Sequence, residues 1–144
     1  MRRHRLVPAV SVLFALLLAG AAAAAKPPER YTRATTVSAV EVEWHIKLSR
    51  TRMPAGPVMF MVRDAGKLPH MFIVLQTNLP AGKLPMKGNE VDLKKAGKVM
   101  GEIRNIAPGK SATVALTLKR GRYVALCNFP AHYKAGQHAA FRVA

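Results

Sequence analysis

Five side chains could do metal or thiol chemistry. The stretch LCNFPAHYKAGQHAAFRV, residues 126–143, holds the only cysteine of the chain, Cys127. His132 follows five residues later, Gln137 five after that, and His138 comes next. A further histidine, His70, opens the apolar run HMFIVLQT. A cysteine with nearby histidines is either a soft-metal site or a nucleophilic thiol. Taken singly, each residue reads more plainly. A lone cysteine is ordinarily a small buried hydrophobe, and a lone histidine at a strand start or in a loop is ordinarily a surface group.

The elements around these residues decide whether they meet. MRRHR is a short basic region, and the apolar run after it ends in small residues before Lys26. This is the pattern of a cleaved signal peptide over residues 1–25, directing export to a bacterial periplasm. The expected organisation is a signal peptide at 1–25, an extended lead-in at 26–35 and one domain at 36–144. In TVSAVEVEWHIKL, residues 36–48, Val40, Val42, Trp44, Ile46 and Leu48 share one parity and Glu41, Glu43, His45 and Lys47 the other. Such alternation predicts a half-buried strand with the glutamates facing water. PVMFMVRD and HMFIVLQT are apolar on both parities and predict central strands. Residues 78–98, rich in Pro, Gly and Lys, predict a long surface excursion with a helical turn near Val91 to Ala96. Three more strands follow, one of them ending at Cys127, and QHAAFRVA closes the chain. Short strands separated by turn signals predict an all-β fold, a Greek-key sandwich of seven to eight strands.

In that frame the strand ending at Cys127 and the strand beginning at Gln137 return to one rim, with His132 in the loop between them. His70 starts its strand after a KLP loop and belongs at a rim too. A thiolate and two imidazoles brought together suit a soft-to-borderline metal. Two histidines and one cysteine in a plane with a weak axial ligand is the blue-copper arrangement. Phe141 and Val143 should point inward, so Gln137 shares their face and His138 does not. Gln137 is therefore the axial candidate. His45 and His138 read as surface groups, and Met59, Met61 and Met71 as core.

The chain carries a formal charge of +16 over 144 residues, and loss of residues 1–25 removes Arg2, Arg3 and Arg5 to leave +13. For an exported protein this points to anionic membrane surfaces or acidic proteins, with no nucleic-acid partner. One cysteine forms no internal disulfide, so in an oxidising compartment it must be buried, paired between chains or ligated.

The segment YVALCNFPAHYKAGQHAAFRV resembles the C-terminal copper loop of the cupredoxins, above all the bacterial plastocyanin- and azurin-like group reading Cys-Asn-x-Pro-Gly-His-Tyr-x-x-Gly-Met. LPHMFIVLQTNLPAGKLP resembles that group's first-histidine segment, and AGKVMGEIRNIAPGKSATVALTLKRGRYVALC its intervening strands. The resemblance implies one type 1 copper ion held by His70, Cys127 and His132, with Gln137 in place of the usual axial methionine. Glutamine is a harder donor, as in the stellacyanin type, and should lower the reduction potential. Met71 stands where many members have a loop-bracing asparagine, and Asn128 is the candidate replacement. Ala131 stands for glycine before His132, a tolerable change where positive φ is not required.

The implied function is a small electron carrier, monomeric and not an enzyme, serving an acidic redox partner. Phe129, Pro130 and Ala131 would form an apolar docking patch around His132. The alternative is a periplasmic copper-handling or resistance protein with no electron-transfer role, whose cue would be an open, adaptable site.

Overall fold

The computed structural model describes residues 33–144. The expected signal peptide and most of the lead-in lie outside the described residues. Among the described residues, no helix is long and apolar enough to cross a membrane.

The strands are β1 (Thr35–Val42), β2 (His45–Leu48), β3 (Arg52–Met53), β4 (Gly56–Asp64), β5 (His70–Gln76), β6 (Met86–Lys87), β7 (Glu90–Val91), β8 (Lys98–Ile106), β9 (Ser111–Leu118), β10 (Gly121–Leu126) and β11 (His138–Val143). One short helix, α1, spans Leu93–Ala96. One sheet runs β2-β1-β4-β9 and the other β3-β11-β10-β5-β8, with β6 and β7 as a separate ribbon. The β1–β4 and β11–β3 pairs are parallel and the other pairs antiparallel. This is the expected sandwich.

The core lies between the two sheets. Val37 and Ala39 of β1 pair with Phe60 and Val62 of β4 and face Phe72 and Val74 of β5, Tyr123 and Ala125 of β10, and Phe141 and Val143 of β11. Phe60 meets Phe72 at 5.4 Å and Phe141 at 5.6 Å, and Tyr123 stacks on Phe141 at 5.2 Å between ring centres. Removing one such buried ring costs roughly 3–5 kcal/mol. The Tyr123 hydroxyl donates to the Lys119 carbonyl at 2.7 Å, so its ring is buried without stranding its polar end.

Inner-face alternation carries a consequence at one rim. Followed along each strand, the inward ladder ends in a polar group: Glu41 after Val37 and Ala39, Asp64 after Phe60 and Val62, His70 before Phe72 and Val74, Cys127 after Tyr123 and Ala125, and Gln137 before Ala139 and Phe141. All five are buried. Period two thus collects them at one end of the sandwich.

Two expectations change here. The run at 36–48 is a hairpin, because the chain turns at Glu43–Trp44 and β2 folds back on β1. The inward parity of β1 is set by Val37 and Ala39, so Glu41 is buried while Val40 and Trp44 are exposed. In β4 the outer face is open to solvent, so Met61 is 49% exposed and Met59 only half-buried.

The excursion at 78–98 is ordered. It lays Leu84, Val91 and Ala96 on Ile73, Leu75, Val124 and Leu126, the outer face of the five-stranded sheet, and makes a second core. This explains why β5 is apolar on both parities. Asp92 caps α1 by accepting from Lys95 N at 3.4 Å.

Candidate metal centre

Cys127 follows β10, and its backbone N–H donates to the Gln137 carbonyl at 3.1 Å, holding the two ends of the loop together. Gln137 N donates in turn to the His132 carbonyl at 3.1 Å. This closes the loop and aims His132 inward. His70 Nδ1 lies 3.3 Å from His132 Nδ1, which lies 3.4 Å from Cys127 Sγ. One donor atom from each of His70, Cys127 and His132 falls within 4.8 Å of the other two. The three side chains therefore converge as the sequence anticipates. Met71 N–H donates to the sulfur at 3.3 Å, which stabilises a thiolate.

Gln137 sits at the same rim and is fully buried. Among the described residues neither end of its amide finds a hydrogen-bond partner. A buried orphaned amide is costly unless something satisfies it. His138 is on the other parity, half-buried, with its ring 5.0 Å from that of Tyr133 under the excursion. His45 is exposed.

The loop is braced as expected of Asn128, and the brace reaches the excursion. Asn128 Oδ1 accepts from Val91 N at 2.7 Å and Asn128 Nδ2 donates to Val91 O at 3.3 Å. Tyr133 adds a second tie: its hydroxyl donates to Ala81 O at 2.6 Å and accepts from Leu84 N at 2.9 Å. Ala131 takes φ 70°, so this position does require the left-handed region, and the alanine there is strained relative to glycine.

Sequence reasoning missed three carboxylates behind the trio. His70 Nε2 faces Glu43 Oε1 at 3.8 Å and Asp64 Oδ1 at 3.9 Å, too far for hydrogen bonds, and is itself unpartnered among the described residues. The loop at 65–69 shapes this region. Gly66 N–H donates to Asp64 Oδ1 at 2.8 Å, and Lys67 and Leu68 N–H donate to Glu43 Oε1 at 2.6 and 2.7 Å. A Cβ at Gly66 would fall 2.6 Å from Glu43 Oε1, so only glycine lets the carboxylate lie there. The backbone donors, led by Leu68, hold the Glu43 carboxyl below its usual range. Glu41 is the third carboxylate. Burial, then the charge of Asp64, pushes it up to about 8, against the opposing effect of the polar Gln137 amide beside it.

Burial likewise pushes the Cys127 thiol up to about 11. It pulls His132 down, with His70 adding to the effect, so His132 is held in the neutral, ligating form. Of the trio only His132 reaches the surface, at 8% exposure. Its ring meets Trp44 edge-on at 5.0 Å and Phe129 at 5.7 Å. Trp44, 43% exposed at the β1–β2 turn, thus joins the apolar surface expected of Phe129, Pro130 and Ala131.

No family model and no curated protein matches the sequence. Solved structures match in fold. Dithionite-reduced auracyanin from Roseiflexus castenholzii aligns with TM-score 0.56 and 20% identity, over 77% of this chain and 98% of that one. Auracyanin A, a "blue" copper protein from Chloroflexus aurantiacus, aligns at 0.56 and 18%, over 78% and 100%. Rusticyanin from Thiobacillus ferrooxidans aligns at 0.56 and 16%, over 78% and 79%. With its two sheets and its five polar strand ends at one rim, this chain has the Greek-key β-sandwich fold of the cupredoxins.

Proposed function

We propose that the protein is an exported type 1 copper protein that carries single electrons. The observation that carries this reading is the buried convergence of His70 Nδ1, Cys127 Sγ and His132 Nδ1. A thiolate with two imidazoles is a copper or zinc donor set, and copper(II) outranks zinc on intrinsic affinity. Gln137 is the proposed axial ligand, on the strength of its orphaned buried amide. Bound copper would supply a one-electron couple.

The chain's own residues do the rest. Two strand ends and a loop tied by Asn128 and Tyr133 hold the donors in one geometry, so little rearrangement accompanies a change of charge. Burial of His70 and Cys127 keeps water and exogenous ligands away. This argues for a carrier rather than an enzyme, and against the open site a copper-handling protein would need. The His132 ring reaches the surface beside Trp44 and Phe129, which is the natural exit for an electron. Exposed Lys67, Lys87 and Lys134 come from the three segments around this surface and suit an acidic redox partner.

Voltammetry of the copper-loaded protein tests the reading. A reversible one-electron wave that survives repeated cycling supports it. Release of copper on reduction would favour copper handling. Exchange with an acidic redox protein should slow as salt is raised, and a salt-independent rate would remove the steering role of the lysines.

A further inference from the structure

The second unusual surface lies at the other end of the sandwich. Register places Arg52 of β3 opposite Arg142 of β11, and Arg142 opposite Arg122 of β10. Neighbouring strands are about 4.8 Å apart, so three guanidinium side chains leave one face in a row about 10 Å long. All three are exposed, and with Thr51, Ala140 and Phe141 they line an open groove of about 430 Å³. Arg120 joins Arg122 in the groove beside it.

The row occupies the outer face of the five-stranded sheet. One rung nearer the metal centre, Val124 lies in the second core under the excursion. The arginine rung lies on the part of this face that the excursion leaves bare. Like charges directly opposite one another disfavour strand pairing. Among the described residues no carboxylate pairs with any of the three. The described acidic residues lie elsewhere: Glu41, Glu43 and Asp64 at the metal end, and Glu90, Asp92 and Glu102 on β7, before α1 and on β8, the opposite edge of the sheet.

We infer that the Arg52–Arg142–Arg122 row is a docking face for an anionic phospholipid bilayer. The guanidinium fork matches phosphate oxygens in a way lysine does not. A row on a sheet face meets a planar array of headgroup phosphates. Five residues of extended chain separate Arg122 from Cys127, about 17 Å, so a redox partner seated here would be far from the ligands. A membrane seated here leaves the His132 surface free for that partner. The inference does not depend on the metal bound.

The test is binding of the host-processed protein to vesicles of phosphatidylglycerol mixed with phosphatidylcholine, against phosphatidylcholine alone. Each basic residue at an anionic surface strengthens binding about fivefold, so R52Q/R122Q/R142Q should weaken it on the order of a hundredfold. R142Q alone should weaken it about fivefold. K47Q/R63Q/K110Q removes the same charge from exposed positions of the four-stranded sheet and the turn before β9 and should cost far less, with unchanged melting temperatures verifying the fold throughout. Equal loss in the two triple variants would overturn the proposal, because net charge alone would then account for binding. So would equal binding to both vesicle types. Two further results would also overturn it: release by inorganic phosphate beyond that by chloride of equal ionic strength, which means a single-phosphate pocket, or loss of exchange with an acidic redox protein while vesicle binding is kept.

Discussion

Replacing Glu41 with glutamine should remove a pH dependence built into the fold. Glu41 is fully buried beside Asp64, with neither oxygen hydrogen-bonded among the described residues, and it is pushed up to about 8 from an ordinary 4.5. Below pH 4.5 both the folded and the unfolded chain hold the proton, and the contribution to stability is fully present. As pH rises, the unfolded chain loses the proton first, so the folded state is progressively disfavoured until the folded carboxyl also ionises near 8. At about 1.4 kcal/mol per pH unit over about 3.5 units, the loss is on the order of 5 kcal/mol. Glutamine keeps the volume and has no proton to lose. The assay is denaturant unfolding of the metal-free protein across this window, comparing wild type with Glu41→Gln. His132 is pulled down, so it adds an opposite slope below its ordinary 6.5, where the unfolded chain binds the proton and the folded chain does not. That slope is common to both proteins and cancels in the difference. The difference should grow steadily from pH 4.5 to pH 8 and then level off. Parallel curves for the two proteins would refute the reasoning and mean that Glu41 is solvated or paired.

Ala131→Gly should stabilise the metal-free protein by up to about 1 kcal/mol in denaturant unfolding, since glycine relieves the left-handed strain at φ 70° but gains entropy when unfolded. Gln137→Met should raise the copper reduction potential in voltammetry, because a softer thioether favours Cu(I); an unchanged potential would mean that residue 137 does not ligate. With the Cys127 thiol at about 11, metal binding must release its proton. Zinc affinity, followed by competition with a chelator, should therefore rise about tenfold per pH unit between neutrality and that value.

Much of the site was legible because its residues are either close in sequence or set by strand parity. Cys127, His132 and Gln137 lie within one loop and its flanking strands, and the inward alternation ending at Phe141 and Val143 separates Gln137 from His138 without reference to the rest of the molecule. His70 was legible as the head of a strand. Glu41 was not, because polarity in VEVEW argues for an outward glutamate. Its parity is set by Val37 and Ala39 pairing with Phe60 and Val62, a non-local fact. Trp44 was misplaced for a related reason: the turn at Glu43 breaks the alternation and delivers the indole to His132. The arginine row was invisible, since Arg52 and Arg142 meet only through the parallel register of β3 and β11.

The most direct test of the central claim is titration of the metal-free protein with Cu(II), followed by visible absorption and EPR and repeated on Cys127→Ser. The account predicts an intense thiolate-to-copper band with narrow copper hyperfine splitting at one equivalent, both abolished in the variant. A pale complex with ordinary hyperfine splitting, or a spectrum that survives Cys127→Ser, would contradict it.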